Sequence, residues 1–147
     1  MHEPPPDIPE RRGQSRELID RLLSEREELL VLYCRVAGLE PYPKQVAASP
    51  LLQRFCQVLV DYTAAVHFEV YGRLAEGQER RRAVLDVAEE HYPFIAETTE
   101  QVVRFNDLCT GAEGAEPLPR ELSRLGEMLA SRFEHEDQVF TALFSRA

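Results

Sequence analysis

Apolar residues recur at three- and four-residue steps along most of the chain, the period of an amphipathic α-helix. Leu18, Ile19, Leu22, Leu29, Leu30, Tyr33 and Val36 form the first such stripe, and Arg26 is its polar break. Ser15 can cap this helix and Gly38 can stop it, which predicts a helix from Ser15 to about Ala37. Pro41 and Pro43 mark Gly38 to Ala48 as a loop. Ser49-Pro50 joins a capping hydroxyl to a proline at the first helical position. It predicts a second helix to about Ala75, closed by Gly77. A third segment spans Glu79 to Cys109, where Pro93 removes one backbone N–H and predicts a kink or a break near His91-Tyr92. Thr110 to Pro119 is turn-rich, and Pro119 opens a last helix that reaches almost to the end. No run carries the alternation of a strand. The pattern therefore predicts an all-α fold with a four-helix-bundle core. Residues 1–13, which include Pro4, Pro5, Pro6 and Pro9, read as a disordered arm, and residues 14–147 as one bundle domain.

Two helices have unusual faces. On the second, Leu52, Phe55, Cys56, Leu59, Tyr62, Thr63, Val66, Val70 and Leu74 fall on one side at about 100° per residue. The opposite side carries Gln57, Asp61, Ala64, Ala65, Phe68 and Gly72, with His67 and Tyr71 between the two. That side is not the charged surface of an ordinary exposed helix. Small residues would leave a hollow, Phe68 an apolar contact and Asp61 a charged anchor, which is the composition of a docking site. A central helix packed on several sides would also use small residues, and the two readings are compatible. In the last helix Leu122, Leu125, Leu129, Phe133, Glu136, Phe140 and Leu143 keep strict helical spacing, so Glu136 lands on the apolar seam. A buried carboxylate needs a partner, and the candidates are Arg26 and His67. If it is not in a structural ion pair, Glu136 lines the same hollow as Asp61.

Charge and chemistry narrow the function. The net charge is −9, and Lys44 is the only lysine. Direct binding of nucleic acid through a basic face is not expected, whereas a basic partner would be attracted. No apolar run has the roughly 20 residues of a membrane span. The first residues lack the apolar core of a signal peptide. Cys34, Cys56 and Cys109 form no C-x-x-C, which suits reduced thiols in a cytoplasmic protein without a cofactor. Motifs of nucleotide-binding loops and nucleophilic hydrolases are absent, so no enzyme is predicted. His67, His91 and the Glu134-His135-Glu136 group suggest a hemerythrin-like metal or redox bundle as an alternative, but no Glu-x-x-His occurs.

Arg54-Phe55-Cys56-Gln57, Leu59-Val60-Asp61-Tyr62 and His67-Phe68-Glu69-Val70-Tyr71 together resemble the signature segment of the Rsd/AlgQ family of anti-sigma factors. Tyr92-Pro93, Arg104-Phe105-Asn106-Asp107 and Arg132-Phe133-Glu134 with Glu136-Asp137 are similar in place and kind. The resemblance covers roughly residues 14–145. It implies a helical bundle that binds the housekeeping sigma factor through the basic region 4, one to one. Region 4 would thereby be hidden from core RNA polymerase and from the −35 promoter element. Carried over by position, Asp61 holds sigma, and His67, Phe68 and Tyr71 flank it. The family's Ser-Ala-Gly is here Ala64-Ala65-Val66, and its Glu after the tyrosine is here Gly72. Two polar contacts on the docking side are lost with them.

Overall fold

The structure, a computed structural model, describes residues 8–39, 49–75, 77, 79–110 and 119–144. Helix α1 runs Ile8–Ala37 and helix α2 runs Ser49–Ala65. The α2 rod continues through a π-helical stretch, Val66–Tyr71, into the short helix α3, Gly72–Ala75. Helices α4, Arg82–Thr110, and α5, Pro119–Phe144, complete the fold. No strand occurs among the described residues. Around the bundle α1 packs on α2 and α5, and α4 packs on the same two helices. The chain is thus the expected all-α bundle.

The helix boundaries follow local chemistry. Gly38 has φ 67°, where its N–H reaches Arg35 O at 3.2 Å and the Leu39 N–H reaches Cys34 O at 2.9 Å. These paired bonds satisfy the last carbonyls of α1 as a Schellman stop. Gly77, with φ 77°, follows α3, and its N–H reaches Leu74 O at 3.3 Å. The start of α1 differs from expectation: it lies at Ile8 rather than at the capping Ser15. Pro9 stands in the first turn, where its missing N–H costs nothing. The arm expected over residues 1–13 is therefore helical from Ile8, and residues 1–7 lie outside the described residues. So do most of the two expected loops, 40–48 and 111–118.

Pro93 sits inside α4 without breaking it. Of the two outcomes expected there, the break does not occur. Proline removes one helical hydrogen bond, but the next turn is held from outside, because Ile95 and Thr98 both bond to Arg132 of α5. The departure from α geometry falls instead in the second rod, at Val66–Tyr71.

The core is continuous across all four long helices, from Ile19, Leu22 and Leu29 through Phe55, Leu59 and Tyr62 to Val84, Val102, Leu129 and Val139. Inside it lies a polar network. Arg26, the polar break of the first stripe, donates to Tyr62 Oη at 3.1 Å, Glu136 Oε1 at 3.0 Å and Asp137 Oδ1 at 2.6 Å. Its guanidinium also lies 4.6 Å from the centroid of the Phe133 ring. Tyr62 donates to Glu136 as well. Arg132, one turn before Glu136, donates to its other oxygen at 2.8 Å. Arg132 reaches α4 too, at Ile95 O, 3.1 Å, Thr98 Oγ1, 3.0 Å, and Thr99 Oγ1, 2.8 Å. One cluster thus ties α1, α2, α4 and α5 together.

Candidate functional site

The face opposite the core stripe of the second rod is open. Gln57 and Asp61 are exposed, and Gln57 Nε2 donates to Asp61 Oδ1 at 2.9 Å. That bond engages one of the two carboxylate oxygens. Ala64 and Ala65 are half-buried. Phe68 is 71% exposed, the most exposed large apolar side chain among the described residues. Its ring meets the exposed His67 edge to face, with centroids 4.9 Å apart. The ring does not stand alone, because it borders an apolar groove.

Beside Phe68 the rod and α4 separate. A groove of about 460 Å³ lies between them, lined on one side by His67, Phe68, Tyr71, Gly72, Leu74 and Ala75. Leu85, Ala88, Glu89, Tyr92 and Pro93 form the α4 side. Tyr71 closes the floor: its ring meets Tyr92 at 5.1 Å and its hydroxyl points to Ala88 O at 3.5 Å. Burial, and then the Glu136 carboxylate, push the Tyr71 phenol above its ordinary range, so the floor is uncharged. A methyl added at Gly72 would meet nothing within 4 Å. Glu89 is the one ionic side chain of the lining, so the groove is apolar with an acidic edge.

The expected docking residues do not all meet here. His67, Phe68, Tyr71 and Gly72 line the groove, while Gln57 and Asp61 are exposed outside it, Ala64 is half-buried, and Ala65 packs against the core. Of the three small residues expected to leave a hollow, Gly72 lines the groove, whose opposite wall is supplied by α4, while Ala64 and Ala65 are absent from its lining. Glu136 is a correction. It is 0% exposed and bound by Arg26, Tyr62 and Arg132, so it belongs to the core network and not to the surface. Of its two candidate partners Arg26 is the one it has, and His67 faces solvent. Sequence reasoning missed Arg132 as a partner, although it stands four residues before Glu136. It also missed Leu85, Ala88 and Glu89, whose role depends on which helix faces the rod.

The histidines do not build the alternative. His91 and His135 approach Nδ1 to Nδ1 at 2.8 Å, and His135 stacks on Phe94 at 4.3 Å. Among the described residues no group of three or more His, Cys, Asp or Glu is placed to hold a metal ion. His67 meets Phe68 instead, ring to ring. No described helix is long and apolar enough to cross a membrane.

Comparison with known proteins adds the family. The model of the family described as "Regulator of RNA polymerase sigma(70) subunit, Rsd/AlgQ" matches residues 1–144. A "Regulator of sigma D" from Yersinia enterocolitica is 36% identical over 143 residues, covering 90% of this chain and 83% of that protein. One from Yersinia pestis is 36% identical over 143 residues, covering 90% and 82%. One from Salmonella paratyphi B is 31% identical over 144 residues, covering 94% and 88%. No solved structure matches the chain. With a family match spanning almost the whole chain, and relatives of 31–36% identity covered over most of their length, the protein belongs to the Rsd/AlgQ family of regulators of the sigma(70) subunit.

Proposed function

We propose that this protein is an anti-sigma factor that binds region 4 of the housekeeping sigma factor and hides it from core RNA polymerase and the −35 promoter element. The observation that carries the reading is the open face of the second rod. An exposed phenyl ring, an apolar groove and an exposed carboxylate stand on one rod of a chain of net charge −9. A helical DNA-reading module fits this face well: it is basic, and its helices present apolar anchors among arginines and lysines. Phe68 and the groove would take an apolar anchor, Asp61 a cation. The mechanism needs no chemistry. One protein bound to one region 4 would occupy the surface that reads DNA.

The test is binding of the purified protein to isolated region 4, followed by competition with duplex DNA containing a −35 element. Mutually exclusive binding at one-to-one stoichiometry is the expected result. A stable ternary complex of protein, region 4 and DNA would overturn occlusion.

A further inference from the structure

The π-helical stretch coincides with the docking residues, and the spacing of the core explains why it is there. Tyr62, Val66, Val70 and Leu74 follow one another at four-residue steps. In an α-helix each such step overshoots a full turn by about 40°, so Leu74 would drift about 120° from Tyr62. Yet Val66 and Val70 are both buried, and Leu74 still packs against the core. The rod achieves this by widening. The Gly72 N–H donates to His67 O, five residues back, and the extra residue in the turn cancels the drift. The groove side has the same spacing: His67 to Tyr71 and Phe68 to Gly72 are four-residue steps. In α register Tyr71 and Gly72 would rotate onward, away from α4. In π register they stay in the sector of His67 and Phe68, and Tyr71 meets Tyr92.

We propose that the π turn at Val66–Tyr71 is the device that assembles the docking groove: its register, rather than residue identity alone, places Phe68 and Tyr71 as adjoining walls against α4. Tyr71 is then a positioning residue that holds the turn against α4 through Tyr92. This inference rests on the reading of that face as the partner's. Its consequence is that the face can be dismantled without removing any groove side chain.

The experiment inserts one alanine after Glu69 in the full chain. Glu69 is absent from the groove lining, and among the described residues it makes an exposed ion pair with Arg21. The insertion retains His67, Phe68, Tyr71 and Gly72 but carries Tyr71 and Gly72 one residue, about 100°, further round the rod from His67 and Phe68. Glu69→Ala removes the ion pair and keeps the register. The expected result is a folded insertion variant that binds region 4 at least about tenfold more weakly, while Glu69→Ala stays within about threefold of the parent. A folded insertion variant that binds like the parent overturns the proposal. Phe68→Ala run alongside separates the two ideas: if it too binds like the parent, the docking reading has failed, not the register argument. Should the insertion variant fail to fold, solution NMR of the parent decides. Scalar coupling from the Gly72 amide to the His67 carbonyl, with Tyr71–Tyr92 ring contacts, supports the π register. Coupling from the Tyr71 amide to that carbonyl overturns it.

Discussion

Asp61 and Phe68 occupy one exposed face but would act through different forces. Asp61→Ala removes a charged contact from a desolvated interface, which typically costs about 2–5 kcal/mol of binding. Region 4 affinity should fall by that amount with helicity unchanged; unchanged affinity would show that Asp61 anchors nothing. Phe68→Ala should leave the melting temperature near that of the parent and weaken binding. A buried phenylalanine would instead lose roughly 3–5 kcal/mol of stability. Cys56 makes a different prediction. Burial, with the nearby Cys109 thiol, pushes the Cys56 thiol up to about 12 from its ordinary 9.0. Burial and Glu136 raise the Tyr62 phenol as well. Both groups are neutral acids whose folded pKa lies above the unfolded one. Their contribution is fully present below about pH 9 and is lost as pH rises toward about 12. Urea midpoints should therefore be flat up to about pH 8.5 and then decline, and Cys56 should resist alkylation at pH 8 until the protein unfolds. The sequence marked Glu136 as a buried carboxylate, because its seam position is a matter of spacing. It did not choose between Arg26 and His67, because that depends on which residues of other helices come within 3 Å.

At the scale of the element, two close fits join the helices. Tyr33 of α1 donates to Leu122 O of α5 at 2.8 Å, over Gly126. A Cβ at Gly126 would stand 2.1 Å from Tyr33 Oη and 2.6 Å from Cζ. Gly126→Ala should destabilise by about 1–3 kcal/mol despite the better helix propensity of alanine, and Tyr33→Phe in addition should not relieve the ring clash. Denaturant unfolding of the two variants checks both. The second fit is the core network. Arg26→Ala leaves Glu136 with Arg132 and Tyr62 but strips the ion pair from α1, which should cost about 3–5 kcal/mol. Loss of under 1 kcal/mol would mean that Arg132 alone balances the carboxylate. Helix identity and most boundaries were legible locally, since caps and glycine stops act within a turn. The persistence of α4 through Pro93 was not, since Arg132 holds that segment from another helix. Nor was the π stretch, although the four-residue steps that require it stand in the sequence.

For the whole molecule the governing quantity is charge. A chain at −9 should draw a basic partner from a distance, so the on-rate should fall as salt rises. Apolar contact around Phe68 and the groove should hold the complex, so the off-rate should change much less. Surface-based kinetics at several salt concentrations would show this, and a salt-independent on-rate would count against electrostatic steering.

Periodicity, caps and charge balance are local or additive properties, and they alone determined the all-α bundle, its helix order and the unusual composition of one helix face, with small residues around Asp61 and Phe68. The tertiary structure decided what depends on neighbours distant in sequence. It buried Glu136 among Arg26, Tyr62 and Arg132, and of the three small residues it put Gly72 alone in the groove beside Phe68. The physical reason is that a helix sequence specifies which way each side chain points, while a groove or a buried ion pair exists only where two such directions converge.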